Sequence, residues 1–338
     1  MTLLSVLDQS PIRTGATPAD AVRETLALAE TADRLGYHRY WVAEHHNSAG
    51  LAGAAPEILI GEIASRTRNL RVGSGGVMLS HYSALKVAEC FRMLELLHPG
   101  RIDLGIGRAP GSDGLTASAL QHGPGALGIE HFPAQIRDVI GYLYDEMPEG
   151  HPFHQVRAMP QIDTAPALWL LGSSDQSGAY AAHFVCAFSF AHFINHLGGE
   201  HVVRAYRTHF QPSPALAAPL ASIAVFCVCA ETEEKAAALR ACRELWMLRL
   251  YRGELRSYPT VEEALSHPYS PRERAFLDHQ AGRTISGTPA QVRAQLDALA
   301  REYEADEFVV VTICPAFEDR VRSYELLADA FALRARAA

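Results

Sequence analysis

The feature that most constrains this chain is an alternation repeated eight times, in which a short apolar run is followed by a stretch with helical spacing. The apolar runs go from Leu3 to Leu7, Tyr40 to Ala43, Leu70 to Gly73 and on to Leu79, and Arg101 to Ile106. They continue from Leu168 to Leu171, Val185 to Phe190, Ile223 to Val228, and Phe308 to Ile313. The first helix opens at Thr17-Pro18-Ala19-Asp20, with Thr17 as cap and Pro18 at the first helical position. Val22, Leu26 and Ala29 repeat at helical spacing, and Gly36 closes it. Further helices are predicted over 55–66, 83–97, 130–145, from about Gln176, over 200–210, 232–250 and 318–336, with another opening at the capping box Thr288-Pro289-Ala290-Gln291.

Eight strand–helix units predict an α/β fold, a (β/α)8 TIM-type barrel with insertions. A doubly wound open sheet is the alternative, because pattern alone does not show closure. A barrel needs about 250 residues, and the chain has 338. No Pro/Gly/Ser linker or fixed-period repeat divides it, so residues 1–338 read as one barrel domain. The polar stretch 252–285 is too long for an ordinary connection, and it is expected to be a lid above the catalytic face.

Several function classes are excluded early. The net charge is −8 with no basic stripe, which argues against a nucleic-acid partner. The N-terminal run lacks a basic leader and is cut by Asp8, so neither a signal peptide nor a membrane span is expected. The six cysteines show no CxxC pair, which suits buried, reduced thiols in a cytoplasmic protein. Cys227 and Cys229 alternate with apolar neighbours and are expected on one face of a strand. There is no P-loop and no GxSxG elbow, and Gly105-Ile106-Gly107 lacks the third glycine of a dinucleotide fingerprint.

Barrel enzymes carry their chemistry at the C-terminal ends of the strands. There the sequence places Glu44-His45-His46-Asn47, Ser74-Gly75-Gly76, Gly105-Ile106-Gly107-Arg108, Gly172-Ser173-Ser174-Asp175-Gln176-Ser177 and Ala191-His192-Phe193. Exposed N–H groups at a helix start, with serine hydroxyls beside them, form an anion site after the fifth strand. The alternative there is plain capping by Ser173 or Asp175. Arg108 can donate to the same anion or form a structural salt bridge. Of His45 and His46, at most one is expected to face a site as general base or hydrogen-bond donor. Gly75-Gly76 either lets a flat ligand approach the backbone or marks a bulge. The first strand ends Asp8-Gln9-Ser10 rather than HxH, which argues against a metal site, and a metal on His192 and His196 is not expected.

Taken in order, these stretches resemble the bacterial luciferase-like monooxygenases. The resemblance is carried by Ala32 to Tyr37 with Trp41 to His46, Val72 to Val77, Leu94 to Arg101 and Leu104 to Gly111. It continues through Gly172-Ser173-Ser174, Gly287-Thr288-Pro289 and Arg322 to Leu327. It implies a flavin mononucleotide (FMN) site at the barrel mouth, or a deazaflavin site in some branches. It places the family's catalytic histidine on His45 and its phosphate contacts on Arg108, Ser173, Ser174 and Ser177. It also implies cofactor contacts at Gly75, Gly76 and Gly172, with a non-proline cis peptide at Ser74-Gly75 or Gly75-Gly76. The chain departs from luciferase itself at Gly107, where luciferase has a cysteine, and at Gly172, where it has an acidic residue. It therefore looks closer to the wider oxidoreductase group than to a light-emitting enzyme.

The implied activity is oxygenation of a small organic substrate by O2, using reduced FMN from a separate NAD(P)H:flavin reductase, in a cytoplasmic homodimer. A deazaflavin-dependent dehydrogenase and a non-catalytic flavin-binding barrel are the alternatives.

Overall fold

A computed structural model describes residues 2–108, 113–121, 128–254 and 256–334. Ala109 to Gly111 of the glycine-rich motif lie outside the described residues. The apolar runs form strands β1 (Leu3–Asp8), β2 (Arg39–Val42), β3 (Arg71–Ser74), β4 (Val77–Met78), β5 (Ile102–Gly107), β6 (Ala167–Gly172), β7 (Ala187–Ala191), β8 (Ala221–Cys229), β9 (Thr284–Gly287) and β10 (Glu307–Val311). Between them lie α1 (Pro18–Leu35), α2 (Pro56–Arg66), α3 (Ala84–Leu97), α4 (Gly114–Leu120), α5 (Phe132–Tyr144), α6 (Asp175–His183) and α7 (Gly199–His209). The later helices are α8 (Glu233–Tyr251), α9 (Val261–Ser266), α10 (Pro271–Gln280), α11 (Pro289–Tyr303) and α12 (Phe317–Ala330).

The ring runs β10-β1-β2-β3-β5-β6-β7-β8, every pairing is parallel, and β8 pairs β10 to close it. Closure decides the fold: this is the eight-stranded TIM-type barrel, not the open sheet. Thr17 caps α1 with Asp20 as its box partner, and Gly36 ends the helix at φ 87°. Among the described residues no helix is long and apolar enough to cross a membrane.

The third apolar run is not one strand. β3 stops at Ser74, and β4 resumes along β5 after Gly75-Gly76, which are joined by a cis peptide. Where the ladder stops, the Ser74 hydroxyl replaces it, donating to Gly105 O at 2.8 Å and accepting from Gly105 N–H at 3.0 Å.

Alternation along the strands sorts side chains into two environments. Leu4, Val6, Tyr40, Val42, Ile223 and Val225 face outward into the layer between barrel and helices, as do Cys227 and Cys229. Leu7, Trp41, Trp169, Ala224, Val309 and Val311 fill the interior. The floor of the barrel is ionic. Arg39 donates to Asp103 at 2.6 Å and to Glu307 at 2.7 Å. Arg71 reaches Asp103 at 2.6 Å, Trp41 Nε1 donates to Asp103 at 3.0 Å, and Ser5 donates to Glu307. Burial alone would raise the Asp103 carboxyl, but Arg39 and Arg71 hold it below its ordinary value.

The predicted lid, 252–285, is folded rather than loop-like, and the excursion over the mouth starts earlier. Buried Leu239, Cys242, Leu245 and Trp246 of α8 join the interior cluster with Phe226 and Val311, so α8 lies across the mouth. Then α9 and α10 follow, each opened by a capping box (Thr260 with Glu263, Ser270 with Glu273), and β9 pairs the far end of β8. Tyr258 N–H donates to Ile12 O at 3.0 Å, and Thr14 N–H donates to Tyr258 O at 3.1 Å. Those bonds pin the excursion to the loop after β1.

Removing one partner of the floor network leaves a buried charge unpaired, which costs about 3–5 kcal/mol. Arg39→Met is expected to destabilise the chain by an amount in that range in urea unfolding, whereas Arg66→Met on the exposed face of α2 should change it by under about 1 kcal/mol.

Candidate functional site

The loop after β2 is held before it is used. Ala43 N–H donates to Asp8 O at 2.8 Å, His45 N–H to Gly53 O at 2.8 Å, and Ala52 N–H to Ser10 O at 2.9 Å. These bonds fix Glu44, His45 and His46 at the mouth. Glu44 is buried, and its carboxylate accepts from Tyr82 OH at 2.7 Å and from Met78 N–H at 3.0 Å. His46 Nε2 lies 2.7 Å from the same carboxylate and 3.2 Å from Tyr82 OH. Glu44 therefore ties the EHH loop to β4, a positioning role that the strand pattern did not reveal.

The two histidines separate on this geometry. His46 is engaged by Glu44 and Tyr82. His45 lines the cavity, and its buried Nδ1 has no hydrogen-bond partner. Burial, with a smaller push from His46, lowers the His45 imidazole to about 4. His45 is thus neutral at pH 7, with one ring nitrogen able to take or hold a proton from a ligand. His192 after β7 shares this character: it is buried, its Nδ1 is unpartnered, and burial lowers it to about 4.

The glycines at the strand ends are required by the wall itself. A Cβ on Gly75 would meet Leu7 Cδ1 at 2.5 Å, and one on Gly76 would meet Leu171 Cδ1 at 2.6 Å and Gly105 O at 2.7 Å. Gly172 is similar, since a Cβ there would lie 2.4 Å from Ser177 Cβ. Close packing of β3, β5, β6 and the first turn of α6 therefore excludes side chains at all three positions, whatever binds above.

At the start of α6 the cap is Ser174, not Ser173 or Asp175. Its side chain accepts from Ser177 N–H, and Ser177 Oγ donates back to Ser174 O at 2.6 Å. The first-turn N–H groups of the helix have no intrahelical partner. Arg108, at the end of β5, reaches across to Gln176, whose side-chain oxygen is neutral. Among the described residues no carboxylate pairs with Arg108, so a positive charge, a helix N-terminus and the serines 173, 174 and 177 meet at one place. These residues fit a phosphate monoester.

Beneath α8 at the barrel mouth lies a cavity of about 830 Å³. Its lining includes Gln9, His45, Phe226, Trp246, Tyr251 and Phe276, drawn from the loops after β1 and β2, from β8, and from the excursion. The site thus pairs an anion corner with an apolar chamber carrying a neutral imidazole.

The family model for luciferase-like monooxygenases matches residues 2–306. The chain belongs to the luciferase-like monooxygenase family. It is 48% identical over 333 residues to the uncharacterised Bacillus subtilis protein YwcH, covering 98% of this chain and 100% of that one. It is 39% identical over 334 residues to a Bacillus subtilis protein named N-acetyl-S-alkylcysteine monooxygenase, covering 98% of each. Among solved structures, apo-MsnO8 superposes with a TM-score of 0.91 at 38% identity, covering 99% of this chain and 100% of that one.

The His45 environment sets a pH dependence. Its folded value near 4 lies below the ordinary imidazole value of 6.5. The unfolded chain therefore takes up the proton first as pH falls. The stability that neutral His45 contributes is complete above about pH 6.5 and is lost as pH falls towards 4. A two-dimensional NMR titration should show the His45 imidazole unprotonated at pH 5.5, and a midpoint at 6 or above would contradict the burial argument.

Proposed function

We propose that this luciferase-like protein is an FMN-dependent monooxygenase that places one atom of O2 into a small organic substrate. The observation that carries this reading is a neutral imidazole on the wall of an apolar chamber, at the same end of the barrel as a cationic corner formed by Arg108 and the start of α6. The flavin would reach the protein already reduced, from a separate NAD(P)H:flavin reductase. The cytoplasmic location is part of the reading on cysteine usage, and the homodimer on family resemblance alone.

Arg108, Ser173, Ser174, Ser177 and the N-terminus of α6 would hold the cofactor phosphate. The wall at Gly75-Gly76 and Gly172 would flank the cofactor without projecting side chains. Reduced flavin, when bound, supplies the electrons that activate dioxygen. The chain's own contribution is to position, to exclude water and to manage a proton. α8 covers the chamber with Trp246 and its neighbours, which keeps water from competing for the activated oxygen. His45, neutral at pH 7 and on the chamber wall, would accept a proton through the ring edge that faces the chamber and return it. Glu44 keeps the loop that bears it in register with β4. The name of the N-acetyl-S-alkylcysteine relative supports a small, multifunctional organic molecule as the substrate class.

The phosphate assignment is tested by comparing FMN with riboflavin, which lacks the phosphate. A charge-assisted hydrogen bond is worth about 1.5–3 kcal/mol. Arg108→Ala is therefore expected to weaken anaerobic binding of reduced FMN by about tenfold or more and to leave riboflavin binding within about twofold. Equal loss for both ligands would remove Arg108 from the phosphate. With NADH, a flavin reductase and 18O2, oxygenated product should carry one labelled atom. His45→Ala should lower turnover by about 100-fold with FMN affinity retained, and unchanged turnover would end its assigned role.

A further inference from the structure

α8 places a charge where an apolar cover needs none. Arg243 is 6% exposed and lines the cavity, and its guanidinium lies over the rings of Phe226 at 4.3 Å and Trp246 at 5.1 Å. It forms no ion pair or hydrogen bond among the described residues, and its buried Nε is unpartnered. Burial, opposed slightly by nearby Tyr258 and reinforced by Arg283, pulls it down to about 10, so it is still charged at pH 7. Stacking on two aromatic faces offsets part of the cost of burying an unpaired guanidinium, but supplies no hydrogen-bond acceptor.

A second cation is close by. Arg283, at the foot of β9, lines the same cavity, is lowered by burial, and also has an unpartnered buried Nε. The described lining contains one carboxylate, Asp113, which is engaged by Asn47 at 3.1 Å and by Thr116 at 2.7 Å. Among the described residues neither arginine pairs with a carboxylate, although both line the apolar chamber. They sit on the β8 and β9 side, whereas Arg108 and α6 lie at the ends of β5 and β6, away from the chamber lining.

We propose that Arg243 and Arg283 form an anion subsite for the substrate, and that the oxygenated molecule carries a carboxylate on an apolar body. This deepens the monooxygenase reading and rests on it for the word substrate. The carboxylate would take paired donors from Arg243, supported by Arg283. The apolar body would lie along Phe226, Trp246 and Phe276, between the arginines and His45. Two fixed ends, an anchored carboxylate and a flavin held by its phosphate, would then set which substrate atom meets the activated oxygen.

The test uses the full chain, with and without FMN, titrated by calorimetry with 4-phenylbutanoate and with 4-phenylbutanamide. The pair share an apolar body and differ in charge. The acid is expected to bind at least tenfold tighter than the amide. Arg243→Met should reduce that preference to about twofold or less, and Arg243→Lys should restore part of it. Arg283→Gln, at a half-buried position outside the core, should lower it several-fold and covers the case in which the Arg243 variants do not fold. FMN affinity should be unchanged in all three variants.

Equal affinity for acid and amide in the parent chain, or no binding of either at millimolar concentration, overturns the proposal. A loss of FMN but not riboflavin binding in Arg243→Met also overturns it, because the arginines would then hold the cofactor phosphate. A carboxylate preference that persists in a chain unable to bind reduced FMN would support the subsite while refuting the monooxygenase reading.

Discussion

The barrel depends first on the charges at its floor. Arg39 at the start of β2 is shared between Asp103 of β5 and Glu307 of β10, and Ser5 of β1 donates to Glu307. Four strands of the ring are thereby joined through side chains as well as through the ladder. A buried arginine with only one carboxylate would be poorly satisfied; with two acids and the Trp169 ring 4.7 Å away, it is enclosed by complementary partners. The network also sets register, because a one-residue slip of any of these strands would turn its charge out of the barrel. Everything above the floor inherits that register: Leu7, Trp41, Trp169 and Val309 form the next layer, and the strand ends that bear the site stand above them.

The mouth follows different logic. In a plain strand–helix unit the helix returns along the outside of the ring. Here α8 packs its buried face on the interior cluster, and the chain comes back through β9 before α11. The result is a roof continuous with the core rather than a strap resting on it. Tyr258, buried and bonded to the loop after β1, ties that roof to the same loop that orders His45. Roof and histidine loop are therefore coupled mechanically through residues 10–14, and a disturbance at Tyr258 is transmitted to both.

Much of this was legible in the sequence, for physical reasons. Strands buried on both faces leave continuous apolar runs, so all eight ring strands could be found. Thr17 and Thr288 declared their helices through side-chain capping, which is local chemistry. Two failures are also instructive. In the segment 252–285, expected as a lid, the polar composition hides α9 and α10, although Thr260 with Glu263 and Ser270 with Glu273 carry the same capping signal. The break at Gly75-Gly76 shows in the sequence as a glycine pair, where the resemblance implies a cis peptide, but the Ser74 hydroxyl that bonds β5 there is a contact between strands that no local window contains. For the site, sequence located the EHH loop and the serines after β6. It missed Arg243, which sits within an ordinary amphipathic helix and becomes notable only when its neighbours prove to be aromatic rings and not acids.

That contrast gives a rule for reading charge in this molecule. Arg39 and Arg320 are buried, and Arg71 half-buried, with carboxylates at hydrogen-bond distance, and Arg320 with Asp8 clamps α12 to the end of β1 at 2.7 Å. They are satisfied within the fold, and they lie at the floor or outside the ring. Arg108, Arg243 and Arg283 lack such partners among the described residues, and all three lie at the mouth. A protein that neutralises Arg39 and Arg320 with carboxylates leaves Arg243 and Arg283, on the wall of one chamber, without a carboxylate partner among the described residues. An unpaired guanidinium buried among aromatic rings, as Arg243 is, destabilises the free protein, and an anion bound beside it would offset that cost.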